Sequence, residues 1–435
     1  MNIISMLTKK RNKGKLTKEE MEYFVKEYNK GSIEDYQATG LVMAMCINGL
    51  DKEEIKDLTV AMAESGEMLD MSDVSENYIE KHSIGGVGDK VSLILLPILA
   101  ALDIPAGKLS GKGIGISGST ADKLSSIPGC RANITLEEYK DNLKENKISI
   151  TSNLLDLAPA EKQLYDLRRK IECIDNLNLI AASIMSRKIA AGGKKLLLNI
   201  QCGYGSSIKN YKSGRELARM IMDSAKLAGK EVRCVLSKIY EPLGKTVGNS
   251  LEIIEVIEAL KGNFEKDVKE LVEALGCQAL IMDGKAKDVK TAEKMIRETI
   301  TSGKALDKFK ELIEIQNGKS ECIDDISLLG EAKYKVEVKS PVSGYVQMLD
   351  ASRIGNIAVY LGAGRKAAND EIDYVAGIVL EKKMDDFVKK GETLAYIYSN
   401  DEEKVNGASK NIIEAYTIGR KMFSKGSSVL GIMTK

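Results

Sequence analysis

Residues 81–90, KHSIGGVGDK, bring together the residue types that hold a phosphate. Gly85, Gly86 and Gly88 let the backbone turn so that several N–H groups converge, while Lys81, Ser83 and the nearby Ser92 supply a charge and hydroxyl donors. A second glycine-rich stretch, SGKGIGISGST at 110–120, offers Ser110 and Thr120, with Lys108 just before it. Surface turns are also rich in glycine, so either loop alone is a weak signal. Two of them, spaced by one apolar run, point to a shared anion site. Neither matches GxxxxGKS or GxxxxGKT, which disfavours a P-loop nucleotidase. His82 is the only histidine in the chain, so three-histidine metal chemistry is excluded. A lone histidine is usually structural, but this one lies inside the first loop, and a reference pKa of roughly 6.5 suits hydrogen bonding or proton transfer.

The elements around these loops follow from pattern. Thr17 with Glu20, and Ser32 with Asp35, read as capping boxes that open helices, and Lys52 to Glu64 reads as a further helix ending near Gly66. The run Val91 to Leu102 between the two loops predicts a buried helix, with a short strand after it. Strands are expected at Lys195 to Ile200 and Val232 to Leu236, separated by a helix over Ser213 to Ala228, which is the rhythm of a βαβ unit. Helical patterns continue over Ser250 to Leu260, Val268 to Leu275 and Thr291 to Ile315, the last running past Gly303. From Lys333 the pattern alternates. YKVEVKSPVSGYVQMLD and FVKKGETLAYIYS each read as strand, turn, strand, which predicts a small β-rich C-terminal domain.

A chain of 435 residues is long enough for two or three domains. Its 64 basic and 63 acidic side chains leave a formal charge of +1, so no global nucleic-acid footprint is present. The apolar run Val91 to Ile104 contains Ser92, Pro97 and Asp103 and falls short of the roughly 20 residues of a membrane span. The N-terminal apolar stretch is too short for a secretory core, and its basic residues follow rather than precede it. The seven cysteines are scattered, odd in number and without a CxxC pair. Reduced, mostly buried thiols and a cytoplasmic location are therefore expected, with no membrane or nucleic-acid partner.

The chain resembles the thymidine and pyrimidine-nucleoside phosphorylases, in order along nearly its whole length. KHSIGGVGDKVS is similar to the family's phosphate motif, LSGKGIGISGSTADKLSSIPG to its signature loop, and LYDLRRK and IAASIMSRKIAAG to its base-binding segments. PLGKTVGNSLEIIEVIEALKG and LGAGR also match. The resemblance implies an α/β multidomain fold. Residues 1–70 and 160–192 would form a helical base-binding and dimerisation domain, 71–159 and 193–330 a mixed-sheet α/β phosphate-binding domain, and 331–435 a C-terminal β-rich α+β domain. It implies reversible phosphorolysis of a pyrimidine nucleoside by inorganic phosphate, giving free base and pentose 1-phosphate, in a homodimer without an organic cofactor. Lys81, Ser83, Ser92, Lys108, Ser110 and Thr120 would hold phosphate, and Arg168, Ser183 and Arg187 the base, with His82 near base and sugar. Composition alone reads Arg168 as a residue of the charged run Arg168, Arg169 and Lys170, and Ser183 as a packing residue one helical turn from Arg187. Some members bind potassium, and the matching positions are Gly88, Leu243, Thr246 and Glu255, with Lys90 where a small hydroxyl residue stands in those members.

The phosphate half of the pattern is intact and the base half is not. Arg187 stands where the family has lysine, which exchanges a point charge for a planar fork. Arg169 stands for aspartate, Ile171 for threonine, and Ile116 for histidine. Asn153, Leu154 and Leu155 replace a glutamine, threonine, glycine trio, and LLNIQCGYGSS carries Asn199 and Gln201 in place of two charges, with Tyr204 adding bulk. These changes imply an altered base or sugar preference. The alternative is a catalytically weakened phosphate- or nucleoside-binding homologue. Phosphoribosyl transfer on a related fold is a third and weaker reading.

Overall fold

A computed structural model describes the chain apart from residues 112, 114, 117, 154–156, 368 and 435. The expectation at Leu154 and Leu155 lies outside the described residues. The architecture is a helical layer, a mixed-sheet α/β body and a smaller C-terminal β-rich part.

Four helices open the chain, Ile3–Arg11, Lys18–Asn29, Asp35–Asn48 and Lys52–Ala63. Thr17 closes a capping box with Glu20 and Asp51 does the same with Glu54, so two of these starts satisfy their orphan N–H groups reciprocally. Ser32 is not a cap. Its N–H, like that of Ile33, still donates to Glu27 O as the preceding helix winds out, and the next helix begins at Asp35, where Gln37 Oε1 accepts from Glu34 N–H. Two later helices, Pro159–Lys170 and Leu177–Ala190, join the same core, in which Phe24, Leu41, Met45 and Leu58 pack with Leu164, Ala182 and Met185. This packing brings Cys46 to Cys173, and the two are disulfide-bonded with Cα atoms 7.4 Å apart. The expectation of uniformly reduced thiols is corrected at that pair, whose 127-residue separation hides it from any local pattern. Cys130, Cys202, Cys234, Cys277 and Cys322 are free.

The body is a sheet of β1 (Ile79–Ile84), β2 (Ala106–Leu109), β3 (Ile148–Thr151), β4 (Lys195–Cys202) and β5 (Glu231–Lys238), with β6 (Thr246–Val247) following outside it. The five strands run parallel in the order β5-β4-β1-β2-β3. The helix Val91–Ala101, buried along nearly its whole length, covers one face, as its unbroken apolar run requires. The first glycine-rich segment is half strand: Lys81 to Ile84 complete β1, pairing with Leu197 to Ile200 of β4, and the turn begins only at Gly85. Because β1 lies between β2 and β4, the strand order switches there, where open α/β sheets bind ligands beyond the strands' carboxyl ends. The helix expected over Thr291 to Ile315 is two helices, Val289–Thr301 and Lys304–Ile315, because Gly303 takes φ +80° and ends the first.

The remaining strands are β7 (Tyr334–Lys339), β8 (Gly344–Leu349), β9 (Gly377–Leu380), β10 (Phe387–Val388), β11 (Thr393–Ser399), β12 (Tyr416–Gly419) and β13 (Val429–Thr434). The two expected hairpins do not form. β7 and β11 pair with each other in the sheet β6-β9-β11-β7, while β8 and β10 pair in β10-β8-β12. Ser340 ends the pairing with β11 through Glu392 O, Pro341 offers no N–H, and the chain turns a corner into the second sheet. Finally β13 crosses back and pairs antiparallel with β5, making the main sheet mixed. Among the described residues no helix is long and apolar enough to cross a membrane.

Candidate active site

A cleft of about 270 Å³ opens at the carboxyl ends of β1 and β2. Ser83, Lys108, Ser110 and Thr120 line it, together with Asp89, which the sequence reading did not single out. Lys81 is fully buried and its Nζ donates to Ser83 Oγ. Lys108 Nζ donates to Ser92 Oγ at 2.9 Å, so Ser92 joins the group through lysine rather than by lining the cleft. Neither ammonium makes a direct ion pair among the described residues, whereas Lys123 nearby is paired with Glu252 at 3.1 Å. Burial, reinforced by Lys81, pushes the Lys108 ammonium well below its ordinary value, with Asp89 opposing. Burial also lowers Lys81, again against Asp89. Burial pushes the Asp89 carboxyl up, but Lys81, Lys108 and Lys123 outweigh it and hold it below its usual range. Two buried ammoniums thus share the field of one carboxylate, a surplus of positive charge that an anion would neutralise.

The turn above them has no room for a side chain at Gly86, where a Cβ would stand 2.5 Å from Gly205 O and 3.0 Å from Gln201 Oε1. Gly88 takes φ +80° and lies against Leu243 O. Just beyond it, Lys90 Nζ donates to Leu243 O at 2.9 Å, Thr246 O at 3.2 Å and Glu255 Oε2 at 2.8 Å. The positions matched to a potassium site do converge, but a buried ammonium already lies among their oxygens, so the residues present do not fit an additional cation. Among the described residues no cluster of histidine, cysteine and carboxylate suits a metal either.

His82, Leu157, Tyr165 and Arg187 line the same cleft. His82 is half-buried, and its enclosed Nδ1 has no partner among the described residues. Burial, then Lys188, Arg187, Lys108 and Lys81, push the imidazole well below 6.5, so it is neutral at physiological pH. Lys188 is itself paired with Glu80. Of the three residues matched to base binding, only Arg187 reaches the cleft. Arg168 is buried, and its Nε, Nη1 and Nη2 donate to the carbonyls of Cys173, Leu179 and Ile174 at 3.1, 3.2 and 3.2 Å. Burial lowers it to about 10. It ties the turn between the two helices and, with Ser183, faces a small inner cavity of about 20 Å³. Ser183 Oγ donates to Glu161, and Arg187 Nε lies 3.3 Å from Glu161 Oε2 and 3.4 Å from Ser183 O. Glu161 and Tyr165 escaped sequence reasoning, although 161, 165 and 168 share one helical face and that spacing was there to be read. Four further altered positions, Ile116, Tyr204, Asn199 and Gln201, do not line the cleft. Ile116 packs against the C-terminal core, and Tyr204 is half exposed against the Tyr240 ring. Asn199 and Gln201 are buried on β4, where Ser237 Oγ donates to Asn199 Oδ1 and the Gln201 amide has no partner among the described residues.

Comparison with known proteins covers the chain in three parts. Residues 4–66 match the helical bundle domain of a glycosyl transferase family, 75–306 match its a/b domain, and 345–419 match the pyrimidine nucleoside phosphorylase C-terminal domain. The chain is 39% identical over 403 residues to the pyrimidine-nucleoside phosphorylase of Geobacillus stearothermophilus, covering 93% of each. It is 40% identical over 402 residues to that of Bacillus subtilis, covering 92% of this chain and 93% of the relative. With the Staphylococcus aureus protein of the same name it shares 39% over 424 residues, 98% of each. Among solved structures, anthranilate phosphoribosyltransferase from Thermus thermophilus superposes with a TM-score of 0.59 at 16% identity, over 72% of this chain and 99% of that one, which is a likeness of fold.

Proposed function

This chain belongs to the pyrimidine-nucleoside phosphorylase family, and from that premise we propose that it catalyses reversible phosphorolysis of a pyrimidine nucleoside with inorganic phosphate as co-substrate. The observation that carries the reading is a cleft lined by Lys108, Asp89, a neutral His82 and the Arg187 fork, with the buried Lys81 ammonium behind Ser83 sharing the field of the same carboxylate. In the reaction a phosphate oxygen bonds to C1′ of the sugar, the bond from C1′ to the base nitrogen breaks, and its electron pair leaves with the base. Lys81 and Lys108, with the hydroxyls of Ser83, Ser110 and Thr120, hold the phosphate beneath the sugar. Arg187, permanently charged, stabilises the negative charge that develops on the departing base; a donor so placed contributes on the order of 10² to 10³ in rate. His82 serves as a neutral hydrogen-bonding group between the two substrates, and alignment across the cleft supplies much of the remaining rate.

Arg168 and Ser183 act from behind the wall of the base site, which supports an altered base preference. The Lys90 ammonium supports catalysis without potassium. Exposed Ile4, Tyr36 and Ile47 on the helical layer support a homodimer through that layer, which light scattering would test. Turnover of a nucleoside panel with and without phosphate tests the central reading. Phosphate binding without cleavage of any member would favour the weakened homologue instead.

A further inference from the structure

The base end of the cleft is shaped by a contact between two helices. Glu161 is buried, and its carboxylate accepts from Ser183 Oγ on one oxygen and faces Arg187 Nε on the other. Arg187 Nε also donates to the Ser183 carbonyl one turn back. Held at Nε between the Glu161 carboxylate and the Ser183 carbonyl, the guanidinium is restricted in its rotation. Its two terminal amino groups have no partner among the described residues, and Arg187 lines the cleft. What this arrangement offers a ligand is the end-on edge of a planar fork, two parallel N–H donors that match two neighbouring acceptors.

Pyrimidine bases differ at that edge. A cytosine-type base presents its O2 carbonyl beside an unprotonated N3, two adjacent acceptors in the plane of the ring. A uracil-type base carries hydrogen on N3, so one of the two fork donors would face another donor. Ser183, whose hydroxyl proton is committed to Glu161, faces the inner cavity rather than the cleft and is not placed to accept that N3 hydrogen. We propose that Glu161 is a positioning residue that fixes the Arg187 fork, and that the fixed fork makes the site select a base with a carbonyl oxygen beside an unprotonated ring nitrogen. The proposal rests on the phosphorolysis reading for its biological setting, but base selection itself can be measured without turnover.

The phosphate-saturated protein is titrated calorimetrically with free cytosine and with uracil, and cytidine and uridine are compared by kcat/KM. Cytosine binds about 5- to 150-fold more tightly than uracil, the discrimination expected of one bidentate pair. Arg187→Lys keeps the charge and removes the fork, and brings the ratio close to one. Glu161→Ala collapses the ratio as well, while Glu161→Gln, which retains an acceptor for Ser183 or Arg187, restores part of it at unchanged phosphate affinity. Thermal melting of each variant separates this from loss of folding. Uracil binding as well as cytosine to the wild type, a ratio untouched by Arg187→Lys, or no binding of either base would each overturn the proposal. Cytosine preference without cleavage of any nucleoside would uphold base selection and overturn the phosphorolysis reading.

Discussion

Replacing Lys108 by Met removes a buried charge while keeping most of the side chain's length, and the structure gives the change opposite signs in the free and phosphate-bound protein. In the free protein the Lys108 ammonium has, among the described residues, one hydrogen bond, to Ser92 Oγ, and no direct carboxylate partner. Its folded pKa lies below 10.5, so the unfolded chain binds more protons between the two values. The ammonium therefore lowers stability at neutral pH, and the penalty fades as pH rises through the folded pKa toward 10.5. Lys108→Met relieves that penalty but leaves Ser92 Oγ without its donor, an offset of about 1 kcal/mol, so the free variant melts no lower than the wild type. With phosphate bound the balance reverses. A hydrogen bond to a charged group contributes about 1.5–3 kcal/mol, so phosphate affinity falls about 10- to 150-fold. At a phosphate concentration of about 100 times the wild-type Kd, the wild type gains about 2.7 kcal/mol, whereas a variant bound about 10- to 150-fold more weakly gains only about 1.4 to 0.3 kcal/mol. Melting curves at graded phosphate, with calorimetric Kd values, read both effects. Equal phosphate stabilisation of variant and wild type would refute the assignment of Lys108 to the anion site.

Three further outcomes follow from the same geometry. His82 is the sole histidine, so its nitrogen resonances can be followed without assignment; they report a neutral ring at pH 6.5, where an exposed imidazole is half protonated, and a midpoint at or above 6.5 would contradict its burial among cations. Because its folded pKa is depressed, its contribution to stability is fully present above about 6.5 and is lost as pH falls toward the folded value. Lys90→Ala strips the ammonium from Glu255 and destabilises by about 3–5 kcal/mol, with partial recovery of the melting temperature in potassium but not in tetramethylammonium; a wild type whose activity depends on potassium would count against the Lys90 assignment. Arg168→Ala leaves three carbonyls without their donor and costs about 2–4 kcal/mol of stability, and denaturant titration should show that loss while calorimetry finds phosphate affinity in the folded protein unchanged.

The proposed anion site was legible because its chemistry is local. Glycines, lysines and hydroxyls fall within two short stretches, and the buried helix between them announces itself by an unbroken apolar run. What the sequence hid depends on contacts between distant segments. Lys81 to Ile84 read as loop because glycines follow them, yet pairing with Leu197 to Ile200, more than a hundred residues away, draws them into the sheet. The strands before and after Pro341 look like a hairpin by alternation, and only their tertiary partners send them to different sheets. Arg168 illustrates the same limit at the site. A motif match puts it in the base site, but the helix turn it must stabilise claims a donor from each of its three nitrogens, and the carboxylate that orients its neighbour Arg187 lies two turns earlier on the helix that carries Arg168.

The central claim is tested most directly by incubating the purified protein with cytidine, uridine and thymidine, each with and without inorganic phosphate, and quantifying free base and pentose 1-phosphate. The account predicts equal amounts of the two products from at least one nucleoside, and none when phosphate is left out. Base release that does not need phosphate, or no release from any of the three, would contradict it.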